Sequence, residues 1–143
     1  MKIITSFSAR KLEKQVTYER KILRELSFEQ LRRCVHEYFK PFHFYRFFLE
    51  ALENGCIDVA IEAYLLGAHY SRFGYYGEPF HLVKKRCAKE EKHLIDMLFD
   101  FLCSFHHQPN QIDSLYYVCE HYVASWWKEG FDQGMKRQKL RLK

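Results

Sequence analysis

Three ionisable side chains lie within an otherwise apolar stretch of the chain. In GCIDVAIEAYLLGAH, residues 55–69, Asp58, Glu62 and His69 are surrounded by aliphatic and aromatic residues. Carboxylate and imidazole groups are the ligands that several metal ions use in proteins. On a helix with about 100° between successive residues, Glu62 lies about 40° and His69 about 20° from Asp58, so the three share one stripe. A helix that is apolar around the rest of its circumference is usually central in its bundle.

The sequence leaves three interpretations of this stripe open. It is a solvated face of the helix, because an unpaired buried carboxylate would be very costly. Alternatively, Asp58 and Glu62 pair with basic residues of the first helix, such as Arg20 or Arg24, and fix how the helices dock. In the third interpretation, Asp58, Glu62 and His69 line a pocket that binds a metal ion or a cationic ligand, or that serves a small enzyme.

The sequence also contains two E-x-x-H motifs, at Glu78/His81 and Glu90/His93. Di-iron bundles carry such motifs on two separate helices, together with two further carboxylates. Here both motifs fall on or near the same predicted helix, which departs from that pattern. We therefore predict neither a bound metal ion nor another cofactor.

A glycine-flanked aromatic pair, GYYG, occupies residues 74–77 and predicts a turn. Tyr75 and Tyr76 would stack on a flat ligand or a base, as exposed aromatic side chains do in binding sites. In the alternative interpretation, the rings fold back as a lid on the bundle. The candidate pocket therefore comprises Asp58, Glu62, His69, Tyr75 and Tyr76.

Two adjacent tryptophans, Trp126 and Trp127, lie on the last predicted helix. Adjacent helical positions are about 100° apart, so we expect at most one of them to point fully inward. The other would contact a partner, because partly exposed tryptophans often anchor interfaces. In the alternative interpretation, both rings form the edges of one broad core face.

The C-terminal segment 136–143 is basic, with Lys136, Arg137, Lys139 and Arg141 as its candidate anion contacts. As a continued helix, this tail would contact a phosphate backbone or another anionic surface. In the alternative interpretation, it is a solvated and frayed terminus.

The composition indicates a folded protein with a bulky core. The chain has 143 residues, of which 48% are hydrophobic and 17% aromatic, and this length predicts a single domain over residues 1–143. The net charge of +5 is much weaker than that of a dedicated nucleic-acid-binding protein. Five cysteines without a C-x-x-C pair favour reduced thiols and a cytoplasmic location. No apolar run approaches the ~20 residues that a membrane span needs.

Hydrophobic periodicity predicts an all-α fold, a compact bundle of about five helices. Ser27 and Gln30 have the spacing of a capping box and predict a helix start. Pro41 ends that helix, Asn54-Gly55 predicts another helix stop, and Pro79 suits the first turn of a long helix. We expect the last helix to fray or bend around two glycines, Gly130 and Gly134. The predicted helices cover about residues 8–26, 27–39, 44–53, 56–69, 79–107 and 113 onward.

Two motifs of the chain resemble a known family. GCIDVAIEAYLLG followed by FGYYGE, and SWWKEGF followed by KLR, are similar to the YbaK-type family of uncharacterised proteins from Bacillus and related spore-forming bacteria. The resemblance extends over the whole chain. It implies a bacterial, cytosolic, single-domain protein with no assigned activity, and it supplies no catalytic residues.

These observations favour a non-enzymatic interaction or regulatory protein. Its partner would be another protein or a second copy of the chain, bound through the first helix or the tryptophan-bearing last helix. A different class of function is nucleic-acid binding through the basic first helix and the C-terminal tail. The third is a small ligand or metal pocket, or an enzyme site, at Asp58, Glu62 and His69.

Overall fold

The computed structural model describes residues 17, 19–42, 49–105 and 111–141, and for Leu49 only its backbone. Within these ranges the chain is helical and contains no strand, which confirms the predicted all-α fold. Residues 19–23 are helical and lead through a turn into the first complete helix. None of the described helices is both long and apolar enough to cross a membrane. The complete helices are α1 (Phe28–Phe39), α2 (Leu49–Tyr75), α3 (Phe80–Arg86), α4 (Ala88–Cys103) and α5 (Ile112–Arg141).

The two longest helices, α2 and α5, pack side by side in parallel and form the centre of the bundle. Near their N-terminal ends, the Tyr122 hydroxyl donates to the Cys56 carbonyl at 2.7 Å. Near their C-terminal ends, the Gln138 amide donates to Ser71 Oγ at 2.9 Å. Residue numbers along α2 and α5 therefore increase in the same direction, and both helices end on the same side of the molecule.

Glycines allow this central pair to approach backbone to backbone. A Cβ atom on Gly67 would collide with the carbonyl oxygen of Trp127, and one on Gly130 would collide with that of Tyr64. One turn beyond Gly130, Gly134 faces the side chain of Ser71 in the same way. Small residues at helix contacts bring backbones closer than the usual interaxial distance of about 8–10 Å.

Helices α1 and α4 flank the central pair on opposite sides, and each runs antiparallel to it. In α1, Arg32 forms an ion pair with Glu53 of α2 at 2.8 Å, while Tyr38 packs edge-on against Tyr122 of α5. In α4, Phe99 packs edge-on against Tyr116 at the start of α5. The described parts of α1 and α4 do not contact each other, so the core lies on both sides of the α2/α5 pair.

The predicted helix start at Ser27 is confirmed, because Ser27 Oγ accepts a hydrogen bond from the backbone N–H of Gln30 at 3.4 Å. The break at residues 40–42 is confirmed as well, since α1 ends at Phe39. Pro79 lies at the N-cap of α3 rather than inside its first turn. The predicted turn is present only in the second half of residues 74–77, at Tyr76 and Gly77, because α2 continues past the predicted end at residue 69 to Tyr75. Gly77 has a φ of +100°, a conformation that glycine adopts readily.

The predicted stop at Asn54-Gly55 is wrong, because α2 continues through both residues. The part of the predicted short helix that is described, from residue 49, belongs to α2. Gly55 is retained inside the helix because its missing side chain makes room for the ring of Phe101 in α4. A packing contact thus outweighs the cost of about 1 kcal/mol that glycine carries in a helix interior.

The predicted long helix over 79–107 is divided at Cys87 into α3 and α4. Cys87 leaves helical geometry, with φ of −94° and ψ of 1°. Its sulfur is buried and accepts a hydrogen bond from the Trp127 indole at 3.2 Å. This contact anchors the break to the centre of the fold. Helix α4 ends at Cys103, and residues 106–107 lie outside the described ranges.

The expected fraying at Gly130 and Gly134 is also wrong. Helix α5 is continuous from Ile112 to Arg141, and both glycines are buried in it. The two glycines lie against α2, and the packing at that contact keeps this part of α5 helical.

Replacing Gly130 with Ala tests the close contact between α2 and α5. We expect Gly130→Ala to lower the free energy of unfolding by about 3 kcal/mol or more, the upper range for overpacked cores, although Ala favours helices over Gly. The measurement is urea unfolding followed by circular dichroism. Gly77→Ala is the matched control, because nothing lies within 4 Å of its added Cβ. The control should lower the free energy of unfolding by only about 1 kcal/mol, because alanine is disfavoured in the left-handed backbone conformation of residue 77. Equal losses in the two variants would contradict the close contact.

Candidate functional site

The structure divides the five residues of the predicted pocket among three places. Glu62 and His69 line a groove between α2 and α4. Tyr75 and Tyr76 line a separate cavity at the C-terminal ends of α2 and α5. Asp58 is exposed and lines neither of these cavities. A pocket formed by all five residues is therefore not present.

The groove between α2 and α4 has a volume of about 570 Å³ and carries both charge signs. Glu90 is held in it by the hydroxyl of Tyr70, which donates to Glu90 Oε1 at 2.6 Å. In the described part of the chain, no three Asp, Glu, His or Cys side chains are arranged to hold a metal ion. The ionisable residues of the groove are Glu19, Glu62, His69, Lys89, Glu90 and His93.

The polar stripe of α2 fits the description of a solvated face. Asp58, Glu62 and His69 are all exposed. Neither Asp58 nor Glu62 forms an ion pair with Arg20 or Arg24, all of which are described, so the predicted pairing with these two arginines is not formed.

Both tryptophans are buried, with Trp126 only 5% and Trp127 0% exposed, so the expectation that one of them faces a partner is wrong. Helix α5 has neighbours on several sides, and two directions about 100° apart therefore both lead into the core. Trp126 packs against Tyr64 of α2, and Trp127 stacks on Phe131 and reaches Cys87. Trp126 belongs to the main core cluster and Trp127 to a second cluster with Val83, Cys87 and Phe131, so the two rings enter separate parts of the core rather than one face.

A second cavity, which we call the cationic cavity, lies where α2 and α5 end beside residues 19–25. Its volume is about 780 Å³. The parallel arrangement creates it, since the C-terminal turns of both helices come together and residues 19–25 supply a third wall. The turn at Gly77 then leads the chain away from the end of α2. The lining residues are Lys21, Ile22, Glu25, Arg72, Tyr75, Tyr76, Gly134, Arg137, Gln138, Leu140 and Arg141.

Four cationic side chains and one carboxylate line the cationic cavity. Glu25 is committed to the protein, because it forms an ion pair with Arg137 at 2.8 Å and accepts a hydrogen bond from the Tyr64 hydroxyl at 3.1 Å. Burial, followed by the charge of Glu25, raises the pKa of Tyr64, so this hydroxyl remains a donor. Among the described residues, no carboxylate lies within 4.0 Å of the cationic groups of Lys21, Arg72 or Arg141.

The cavity is apolar in its depth and exposed at its opening. Ile22 is only 1% exposed and forms part of the inner wall. Arg137 Nη2 is enclosed and has no hydrogen-bond partner within the described part of the chain. Tyr76 and Leu140 are 83% and 70% exposed and mark the opening. Tyr75 and Tyr76 pack edge-on, with ring centroids 5.5 Å apart.

The predicted tail contacts do not share one surface. Helix α5 extends to Arg141, so residues 136–141 are helical rather than frayed, and residues 142–143 lie outside the described ranges. Arg137 and Arg141 are one turn apart and line the cationic cavity, whereas Lys136 and Lys139 are exposed outside it. The helix therefore separates the four cations into two pairs.

Sequence reasoning missed Lys21, Ile22, Glu25 and Arg72 as cavity residues. The spacing of Gly130 and Gly134, one helical turn apart, is the signal that would have helped. Such spacing is typical of close helix contacts and would have indicated that α5 packs against a second helix along this face.

The environment of His69 predicts a measurable titration. His69 keeps part of its surface open to solvent but is partly desolvated in the groove, and this desolvation, followed by the charge of Arg72, lowers the pKa of His69 below its ordinary 6.5, while Glu90 acts in the opposite direction. A lowered folded-state pKa means that protonation favours the unfolded chain. The contribution of His69 to stability is therefore lost as the pH falls below about 6.5, until the folded-state pKa is passed.

We expect NMR titration of the His69 ring to give a midpoint below 6.5. Arg72→Gln should raise this midpoint because it removes a neighbouring positive charge, and Glu90→Gln should lower it further. Lys139→Gln removes the same charge elsewhere and serves as the control. A downward shift in Arg72→Gln would contradict the described environment.

Comparison with known proteins identifies the family. Residues 1–143 match a family described as "Protein of unknown function (DUF2521)". The chain is 35% identical over 144 residues to "Uncharacterized protein YbaK" of Bacillus subtilis (strain 168), with 98% of each chain covered. No solved structure matches the chain. The predicted resemblance to the YbaK-type family is thereby confirmed, and the chain belongs to this family of proteins of unknown function.

Proposed function

We propose that this protein binds a small amphipathic organic anion in the cationic cavity. The observation that carries the proposal is a set of three cations, Lys21, Arg72 and Arg141, that have no carboxylate partner among the described residues and lie beside an apolar and aromatic wall. They come from three separate elements that meet only in the folded protein. An anion bound between them would satisfy charges that the described side chains leave unneutralised.

The dimensions and chemistry of the cavity support binding. Its volume of about 780 Å³ falls within the range of about 300–1,000 Å³ that is typical of small-molecule sites. Ile22, Tyr75 and Leu140 supply apolar surface, and Gln138 supplies a polar side chain. The described residues that line it include no Ser, Cys or His, which are the usual nucleophiles and bases, so we propose binding rather than catalysis.

The two other predicted classes of function have less support. A protein partner or a homodimer remains a prediction, but the buried Trp126 and Trp127 do not provide its contact surface. Nucleic-acid binding through the tail would use the exposed Lys136 and Lys139. A small-anion site instead uses Arg141 together with Arg72 of α2, and this difference separates the two classes experimentally.

Binding of 1-anilinonaphthalene-8-sulfonate, a compact aromatic anion, tests the proposal by calorimetric titration of the full-length protein. We expect one saturable site. Arg72→Gln and Arg141→Gln should each weaken it by about tenfold, because a charge-assisted contact contributes about 1.5–3 kcal/mol. Matched controls are Lys136→Gln and Lys139→Gln, which remove the same charge outside the cavity and should leave the affinity nearly unchanged.

Urea unfolding of each variant ensures that dye binding does not report a loosened fold. Equal effects of the cavity and control variants would show that only net charge matters and would contradict the proposed site. Absence of a saturable site in the folded protein would overturn it.

A further inference from the structure

We infer, on the basis of the proposed function, that the ligand of the cationic cavity is a single-chain amphiphile. Its apolar chain lies inward along Ile22 and Tyr75, and its anionic headgroup lies at the opening, between Lys21, Arg72 and Arg141. The inference goes beyond binding of an organic anion, because it assigns both the chemical class of the ligand and its direction in the site.

The distribution of paired and unpaired charge supports this placement of the headgroup. Glu25 and Arg137 are both partly open to solvent, with 33% and 22% of their side chains exposed, but they already neutralise each other at 2.8 Å, and Glu25 also accepts from Tyr64. A headgroup placed beside them would compete with a formed ion pair and meet the negative charge of Glu25. The three cations that have no carboxylate partner in the described part of the chain are all on exposed residues. A headgroup at the opening therefore gains their attraction without displacing an internal contact.

The apolar residues complement a chain rather than a uniformly charged ligand. Ile22 is buried, Tyr75 is half-buried, and both line the cavity. At the opening, Tyr76 and Leu140 are both large, apolar and strongly exposed. They would cover the part of the chain next to the headgroup. A polyanion such as a nucleic acid has no comparable apolar part to place against these residues.

A chain-length series tests the inference on the full-length protein. Octanoate, decanoate and dodecanoate are titrated calorimetrically below the concentrations at which they aggregate. We expect the affinity to rise about two- to fourfold with each added methylene, as it does when a methylene leaves water for an apolar site. Dodecylammonium, which has the same chain and the opposite charge, should bind at least about tenfold more weakly than dodecanoate.

Two variants separate the headgroup contact from the chain contact. Arg72→Gln should weaken all three carboxylates by a similar factor, about tenfold, and leave the increment per methylene unchanged. Tyr75→Ala should weaken dodecanoate more than octanoate. Tyr117→Ala is the control, at an exposed tyrosine of α5 that does not line the cavity. It should change neither the affinities for the carboxylates nor the increment per methylene.

The outcomes distinguish this inference from the proposed function. If the affinity does not depend on chain length but the naphthalene sulfonate still binds, the assignment of the ligand as an amphiphile is contradicted, and the proposed anion site is not. Equal binding of dodecylammonium and dodecanoate would overturn the position of the headgroup. Failure of both the carboxylates and the naphthalene sulfonate to bind would overturn the inference and the proposed function together.

Discussion

The fold depends on one constraint, the backbone-to-backbone contact between α2 and α5. Gly67 and Gly130 leave no room for a Cβ atom against the opposite helix, and Gly134 and Ser71 continue the contact by one turn. Because the helices are parallel, this contact aligns their C-terminal ends. It also brings the long aromatic side chains of α5 to both sides of the pair, where α1 and α4 cover them.

Polar contacts along this central pair fix its register. The Tyr122 hydroxyl and the Gln138 amide tie the two helices together near their ends. Between them, Tyr64 extends from α2 to Glu25, and Glu25 in turn holds Arg137 of α5. Residues 19–25 are thereby attached to both central helices. Glu25 and Arg137 also line the cationic cavity, so a contact that positions the helices neutralises two of the charges of that cavity.

The sequence predicted the fold class because hydrophobic periodicity and capping are local properties. The start of α1 at Ser27 and its end before Pro41 follow from two or three neighbouring residues. The glycines were misjudged for the opposite reason. Local propensity treats Gly55, Gly130 and Gly134 as helix breakers, but each is retained for a contact with a residue distant in sequence. The tryptophans were misjudged likewise, since their burial depends on how many helices surround α5.

The candidate site could be predicted only in fragments. Tyr75, Tyr76, Arg137 and Arg141 were singled out from the sequence, yet as members of two unrelated features. Their meeting in one cavity depends on the parallel alignment of α2 and α5, for which periodicity gives no sign. Glu62 and His69 were correctly placed on one helix stripe, whereas Asp58, on the same stripe, lies outside the groove they line.

The parallel contact is tested most directly by nuclear Overhauser effects between the two central helices in the folded protein. The account predicts a cross-peak between the Hα protons of Gly130 and Tyr64, together with one between the Gln138 side-chain amide and the protons of Ser71. An absence of both, or cross-peaks that join Tyr64 to the N-terminal end of α5, would contradict the parallel arrangement and the cavity that follows from it.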